Sequence, residues 1–488
     1  MRPFVLLAAL TLAALPVLAQ PRTADRTPEA AFRTEDLTAH LRFLASDELM
    51  GRRPGTPGAA AAARYIAEQF RRVGARPAPG TDDYYQIVPL GTVTPPRRAS
   101  LLLGPDTLRL GTDLLVFAGN ALDFDGEAVY VGYGAAAADY AGRDVRGKVA
   151  LARVGTGPGG SPQAALGAAT RKRALADSLG AVALVELYDA ALPWANVARN
   201  LSRARTDASG TGAGRLVHAW VQDAGGARIA RYAESPTARL RFTTDAATVV
   251  SMASPNVAAF IEGTDPRLKH EVVALTAHYD HVGAGLTRGA GATAQDSIFN
   301  GARDNGTGTV ALIAAAQALA VQPPKRSVLI VAYTAEEMGL LGSRYFAEHP
   351  LVPLDRIVYN LNVDTGGISD TTVVTFIGHG RTSADPIFAQ ALAPFSLTPL
   401  PDPSPEQGLF DRSDNVALAA RGIPAPTFSP GFRAFTDPGV ASFYHRVTDE
   451  ADETYPFTYL RKFAQAYTRT ARLIADAPQR PRWTPGDR

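Results

Sequence analysis

The chain has 488 residues, too many for one ordinary core, so two or more domains are expected. Hydrophobic content of 46% and charged content of 20% are those of a globular protein, and the 44 glycines and 36 prolines are scattered rather than gathered into a disordered tract. A net charge of +2 gives no basis for nucleic acid or an anionic membrane as partner.

Arg2, an apolar run over residues 4–15 and the small-residue site Val17-Leu18-Ala19 read as an export signal spanning residues 1–19. The run falls short of the roughly 20 residues needed to cross a bilayer, and no later segment is apolar enough to do so. The expectation is therefore an exported protein, periplasmic or extracellular, with no stable membrane anchor after cleavage. Cysteine is absent, which excludes disulfides and a lipoprotein thiol.

Residues 34–49 read as a helix, and a second follows Gly58, with Ile66, Phe70 and Val73 on one face and Gly74 closing it. Short strand-like pieces come next, at 100–103 and 128–131. The stretch 112–251 mixes short strands, glycines and one helical piece near 171–179, and reads as a β-rich inserted accessory domain between 34–111 and 252–478. Beyond it, 271–277, 327–333, 357–363 and 372–377 are compact apolar runs, with a helix at 309–320 between the first two. That alternation predicts an α/β fold whose central mixed, mostly parallel sheet is covered by helices on both faces. A last helix opens at Pro456, with Phe457, Leu460, Phe463 and Tyr467 at helical spacing.

Several apolar runs end in side chains able to bind metal. Ala277-His278-Tyr279-Asp280-His281 places His278 where a strand's carboxyl end lines a crevice, and Asp280 could fix its ring. A lone His-x-Asp is as often a surface hydrogen-bonded cluster. Asn300 to Gly308 is a glycine-rich loop presenting Asp304, which by itself would read as a helix cap and turn. Glu336 and Glu337 follow a buried strand, so one can ligate while its neighbour handles protons. Asp364 ends another run, and His445 sits in a loop before the last helix. Together these are two histidines, three carboxylates and a spare glutamate, a nitrogen–oxygen donor set suited to zinc. A bridging carboxylate can hold two such ions about 3.5–4 Å apart.

In their order and wording these motifs resemble the zinc exopeptidases of the aminopeptidase Y and glutamate carboxypeptidase group. The likeness is greatest to bacterial secreted members with an inserted protease-associated domain. It runs from Leu41-Arg42-Phe43-Leu44-Ala45-Ser46-Asp47-Glu48 and Gly51-Arg52 to the last helix. Val129 to Gly134 and Gly147 to Leu151 are similar to the protease-associated insert. The resemblance implies two zinc ions: His278 and Asp364 on one, Glu337 and His445 on the other, Asp304 bridging. It implies Glu336 as general base, Asp280 behind His278, and Tyr444 assisting the tetrahedral intermediate. Where many relatives read Ser-Asp-His this chain has Ser413-Asp414-Asn415, and Thr365 stands where methionine is common. Those positions bear on substrate preference.

The implied activity is an aminopeptidase acting on peptides with a free N-terminus. A carboxypeptidase or dipeptidase on the same metals would need arginines to hold a substrate carboxylate, with Arg303, Arg412 and Arg433 as candidates. A receptor-like binding protein on a dead peptidase scaffold would have lost ligands, and here all five and the base are present. A glutaminyl cyclase would have a single metal and no insert. Phe432, Phe435 and Phe443 are candidates for an apolar substrate pocket.

Overall fold

A computed structural model describes residues 27–485, apart from 82, 159–161, 191, 209–214 and 365. The signal segment 1–19 and Thr365 lie outside the described residues. No helix among the described residues is long and apolar enough to cross a membrane.

Helix α1 (Thr34–Leu44) is shorter than the predicted 34–49, because the chain breaks into a 3₁₀ segment, Asp47–Arg52, in which Met50, Gly51 and Arg52 take positive φ. Helix α2 (Pro57–Arg72) starts where Thr56 accepts the Ala59 N–H and Pro57, which has no N–H, needs no acceptor. The strands that follow form the main sheet: β1 (Tyr85–Thr94), β2 (Thr248–Ile261), β3 (Val272–His278), β4 (Ser327–Tyr333), β5 (Ile357–Val363), β6 (Val373–Ile377), β7 (Thr398–Pro401) and β8 (Thr427–Pro430). Their order is β7-β6-β8-β5-β3-β4-β2-β1, with short strands Arg205–Asp207 on β1 and Arg76–Pro77 on β2.

The parallel alignment expected of the sheet is confined to its centre, β4-β3-β5-β8, and to the β6–β7 pair. The β1–β2 and β2–β4 pairs are antiparallel, as is β6–β8, so the sheet is mixed. β3, β4 and β5 are buried along their whole length, as a strand covered on both faces must be. Their side chains alternate between two cores. Val273, Leu275, Ala277, Ile330 and Ala332 pack with α1, α2, α3 (Thr307–Val321) and α5 (Phe457–Asp476). Val272, Ala274, Leu329 and Val331 pack with Phe346 and Ala347 of α4 (Leu341–Glu348) on the other face.

A second, eight-stranded sheet has its own core around Leu101, Leu151, Val185, Val221 and Phe242. It takes strands from residues 99–244. Ala99–Leu103 and Asp106–Arg109, which precede residue 112, join it through antiparallel pairing of Ala99–Leu103 with Thr237–Thr244. Thr248–Ile261 runs back into the main sheet against β1, although its first residues precede 252.

Candidate metal centre

The carboxyl ends of the central strands deliver the first donors. His278 is the last residue of β3, Asp364 follows β5 directly, and Glu336 and Glu337 lie three and four residues beyond β4. Between β4 and these glutamates Ala335 takes φ 57°, turning the chain at the sheet edge. Asp304 comes from residues 302–306, the irregular turn that opens α3, and His445 from the loop after the short helix Pro438–Ala441.

These segments meet. His278 Nε2 lies 3.4 Å from Asp304 Oδ1 and 3.3 Å from Asp364 Oδ1. His445 Nε2 lies 3.3 Å from Asp304 Oδ2 and 3.0 Å from Glu337 Oε2. Asp304 therefore stands between the two histidines, one oxygen toward each. Donor atoms of His278, Glu336 and Asp364 all fall within 4.8 Å of one another, and so do those of His281, Asp304 and Glu337.

The loops are held by buried hydrogen bonds. Thr309 donates to the His278 carbonyl at 3.1 Å, and Asn305 donates to the Val363 carbonyl at 2.8 Å, which ties α3 to the ends of β3 and β5. The fully buried Arg52 donates to the carbonyls of Tyr279 at 2.7 Å and Gly301 at 2.9 Å, and to those of Leu44 and Asn300. One guanidinium thus links the loop after β3 to the loop before Asp304. Asp280 accepts the Glu336 N–H at 3.1 Å; toward His278 Nδ1 it presents its backbone oxygen at 3.1 Å and its carboxylate at 3.8 Å.

The electrostatics are those of carboxylates crowded out of water. Burial lifts Glu336 well above the usual carboxyl range; His278 opposes this, and Asp364 and Glu337 add to it. Burial likewise raises Asp280 to about 6. Asp304 is held far below its ordinary value despite burial, because His278 and His445 donate to it. Glu337 falls to about 2, with burial and Asp304 opposing and His281 and His445 prevailing. Burial would lower His278, yet Glu336, Asp364 and Asp304 hold it well above its ordinary range. Such a nest of carboxylates around imidazoles is what a divalent cation would neutralise.

Beside the centre lies a recess lined by Ile377, Leu409, Phe432, Phe435, Arg412 and Tyr444. The Tyr444 ring stacks on His445 at 4.0 Å between centroids. Burial, with Asp304 and Glu337 nearby, raises its hydroxyl pKa, so it stays a proton donor. Phe443 does not join the recess; its ring lies under the Arg303 guanidinium, 3.5 Å from the centroid. Arg303 is paired with Asp449 at 3.2 Å and Arg433 with Asp370 at 2.7 Å, which leaves Arg412, over the Phe435 ring, as the one of the three at the recess. The residue that sequence reasoning passed over is His281. It follows Asp280 directly, and the only local sign of it was a second histidine three positions after His278.

The chain is similar to known peptidases. It is 28% identical over 310 residues to a probable leucine aminopeptidase 2 of Aspergillus oryzae, covering 61% of this chain and 54% of that protein. Over 104 residues it is 35% identical to Aminopeptidase YwaD of Bacillus subtilis, covering 21% of this chain and 20% of the relative. The chain thus spans about half, or less, of the curated relatives it matches. Among solved structures, an aminopeptidase from Aneurinibacillus sp. strain AM-1 superposes with a TM-score of 0.53 at 20% identity, covering 94% of this chain and 97% of that one, a likeness of fold. Residues 256–469, the segment that carries His278, Asp304, Glu336, Glu337, Asp364 and His445, match the model of Peptidase family M28.

Proposed function

We propose that the protein is an exported, zinc-dependent aminopeptidase that removes N-terminal residues from peptides. The observation that carries this reading is the meeting of two histidines and four carboxylates, from five separate segments, at the rim of the main sheet. The donors are nitrogen and oxygen only, the set that suits zinc where thiolates are lacking. The match to Peptidase family M28 and the aminopeptidase relatives support the same reading. The second sheet, residues 99–244, would be a protease-associated insert.

His278 and Asp364 would hold one zinc, Glu337 and His445 the other, with Asp304 shared. Zinc bound there supplies Lewis acidity, polarising the scissile carbonyl and acidifying water. Glu336, as carboxylate, would take the proton of the attacking water and pass it to the leaving amine. Tyr444 donates its hydroxyl hydrogen bond to the developing oxyanion. Asp280 fixes the loops by accepting the Glu336 N–H. The carboxylates would also anchor the free α-amine, which limits cleavage to the chain end, and the recess would receive the N-terminal side chain.

Glu336→Gln tests this. Zinc content should persist while turnover of aminoacyl anilides falls by about 10²-fold or more; near-normal turnover would remove the assigned base. A carboxypeptidase reading would rest on Arg412 alone, the candidate arginine at the recess. Peptides blocked at the amino end should resist cleavage and peptides blocked at the carboxyl end should not; the reverse result would favour that second reading.

A further inference from the structure

We infer that His281 is a further metal ligand, joining Asp304, Glu337 and His445 around the second zinc. The inference rests on the two-zinc reading above. The His281 ring is fully buried, with Nδ1 2.8 Å from Glu337 Oε1 and 3.9 Å from Asp304 Oδ2. A buried imidazole ordinarily satisfies its nitrogens with hydrogen bonds. Neither ring nitrogen of His281 has an aligned hydrogen bond among the described residues, and neither does Glu337 Oε1. A nitrogen and an oxygen 2.8 Å apart and not aimed along a hydrogen bond are placed as two donors to a third body. Zinc bonded to nitrogen and oxygen at about 2.0–2.1 Å holds such atoms roughly 3 Å apart. On the other side His445 Nε2 stands 3.0 Å from Glu337 Oε2 and 3.3 Å from Asp304 Oδ2, and the two imidazoles meet edge to face at 5.6 Å.

The loop of Asp304 fixes the ring in this place. Gly301 takes φ 61°, and a Cβ there would lie 2.6 Å from His281 Cγ and 2.7 Å from Cδ2. The backbone thus lies flat on the imidazole, and no other residue fits at 301.

The consequence is an unequal pair of ions. Donor atoms of His281, Asp304 and Glu337 fall within 4.8 Å of one another, and His445 reaches the same two carboxylates from the other side. The second ion would thus have up to four protein donors; His278 and Asp364 with the shared Asp304 would leave positions open for substrate and water. The second ion should be the tightly held one and the first the exchangeable, reacting one.

X-ray absorption on the full-length zinc protein counts imidazoles directly: three are expected over the two ions if His281 ligates, two if it does not. His281→Asn and His281→Phe should each lose one imidazole from that count and weaken the tighter zinc by more than about 100-fold in competition with a chelator. Asparagine can keep an N–H facing Glu337, so recovery of wild-type affinity in His281→Asn would make His281 a hydrogen-bond donor and overturn the inference. If neither variant folds, the wild-type count still decides. A wild-type protein that holds no zinc would overturn the two-zinc reading itself, whereas two zincs with two imidazoles would overturn only the role of His281.

Discussion

The Asp449 carboxylate accepts the backbone N–H of Asp304 at 3.0 Å and that of Arg303 at 2.9 Å, while pairing with the Arg303 guanidinium at 3.2 Å. The loop after His445 thereby fixes the loop of Asp304, so two of the proposed metal donors share a brace. Asp449→Asn keeps the shape but leaves the buried Arg303 charge uncompensated and turns one acceptor into a donor facing an N–H. A destabilisation of about 3–5 kcal/mol is expected. Urea unfolding of the chelator-treated protein measures it, and zinc content of the folded fraction should fall as well.

Arg52 braces the other side. Burial lowers its pKa to about 10, which leaves it charged at neutral pH, and it donates to four backbone carbonyls. Lysine offers one nitrogen in place of a planar fork, so Arg52→Lys would strand two or more of those carbonyls. At about 1–3 kcal/mol for each buried unsatisfied group, the variant should lose several kcal/mol of stability. Because Tyr279 and Gly301 flank His278 and Asp304, its zinc affinity should drop too. A variant with unchanged zinc affinity would show that the loops keep their register without the guanidinium.

How much of this was legible beforehand follows from the residues themselves. β3, β4 and β5 announce themselves as short apolar runs, so His278, Glu336, Glu337 and Asp364 could be placed at one sheet edge from sequence alone. Asp304 and His445 lie in loops, and only their motifs drew them in. His281 carried no comparable sign, because its burial depends on Gly301 folding back over it from a loop twenty residues on. The early end of α1 was hidden for a similar reason: the Leu44 carbonyl is taken by Arg52, a contact the helical pattern of 34–49 does not encode. Likewise Ala99–Leu103 reads as a generic strand, and only its pairing with Thr237–Thr244 assigns it to the second sheet.

Asp414, in the Ser413-Asp414-Asn415 segment, is buried with neither carboxyl oxygen in an aligned hydrogen bond among the described residues. Burial chiefly, helped by Asp364 and Asp280 and opposed by His278, raises its pKa to about 7. In the unfolded chain it titrates near 3.9. Between those values the folded state holds the extra proton, so stability is full below about pH 4, declines as pH rises toward 7 and levels off above. Asp414→Asn should flatten that decline by a few kcal/mol in the metal-free protein. Urea midpoints at pH 5 and pH 8 check it; an equal slope in the two proteins would assign the pH dependence elsewhere.

The second sheet holds a buried charge cluster of its own. Glu186 accepts from Lys172, from His218 Nε2 at 2.7 Å and from Trp220 Nε1 at 3.1 Å, and Lys172 also donates to the carbonyls of Arg153 at 2.8 Å and Gly155 at 3.1 Å. Burial works against the Glu186 charge, and His218 and Lys172 overcome it, so the carboxylate stays ionised. Burial lowers the pKa of His218, which therefore donates to Glu186 as a neutral imidazole. Lys172→Met thus removes the lysine partner of a buried carboxylate and should cost about 3–5 kcal/mol, the usual penalty for a buried charge left short of a partner. Adding Glu186→Gln removes that charge while keeping an oxygen for His218 or Trp220, so the double variant should regain much of the loss. Unfolding curves of the two variants test this. Zinc content should be untouched in both, because Lys172 lies on the helix Pro162–Ser178 and Glu186 on the strand Ala183–Tyr188 of the second sheet, outside the segments that carry the proposed metal donors.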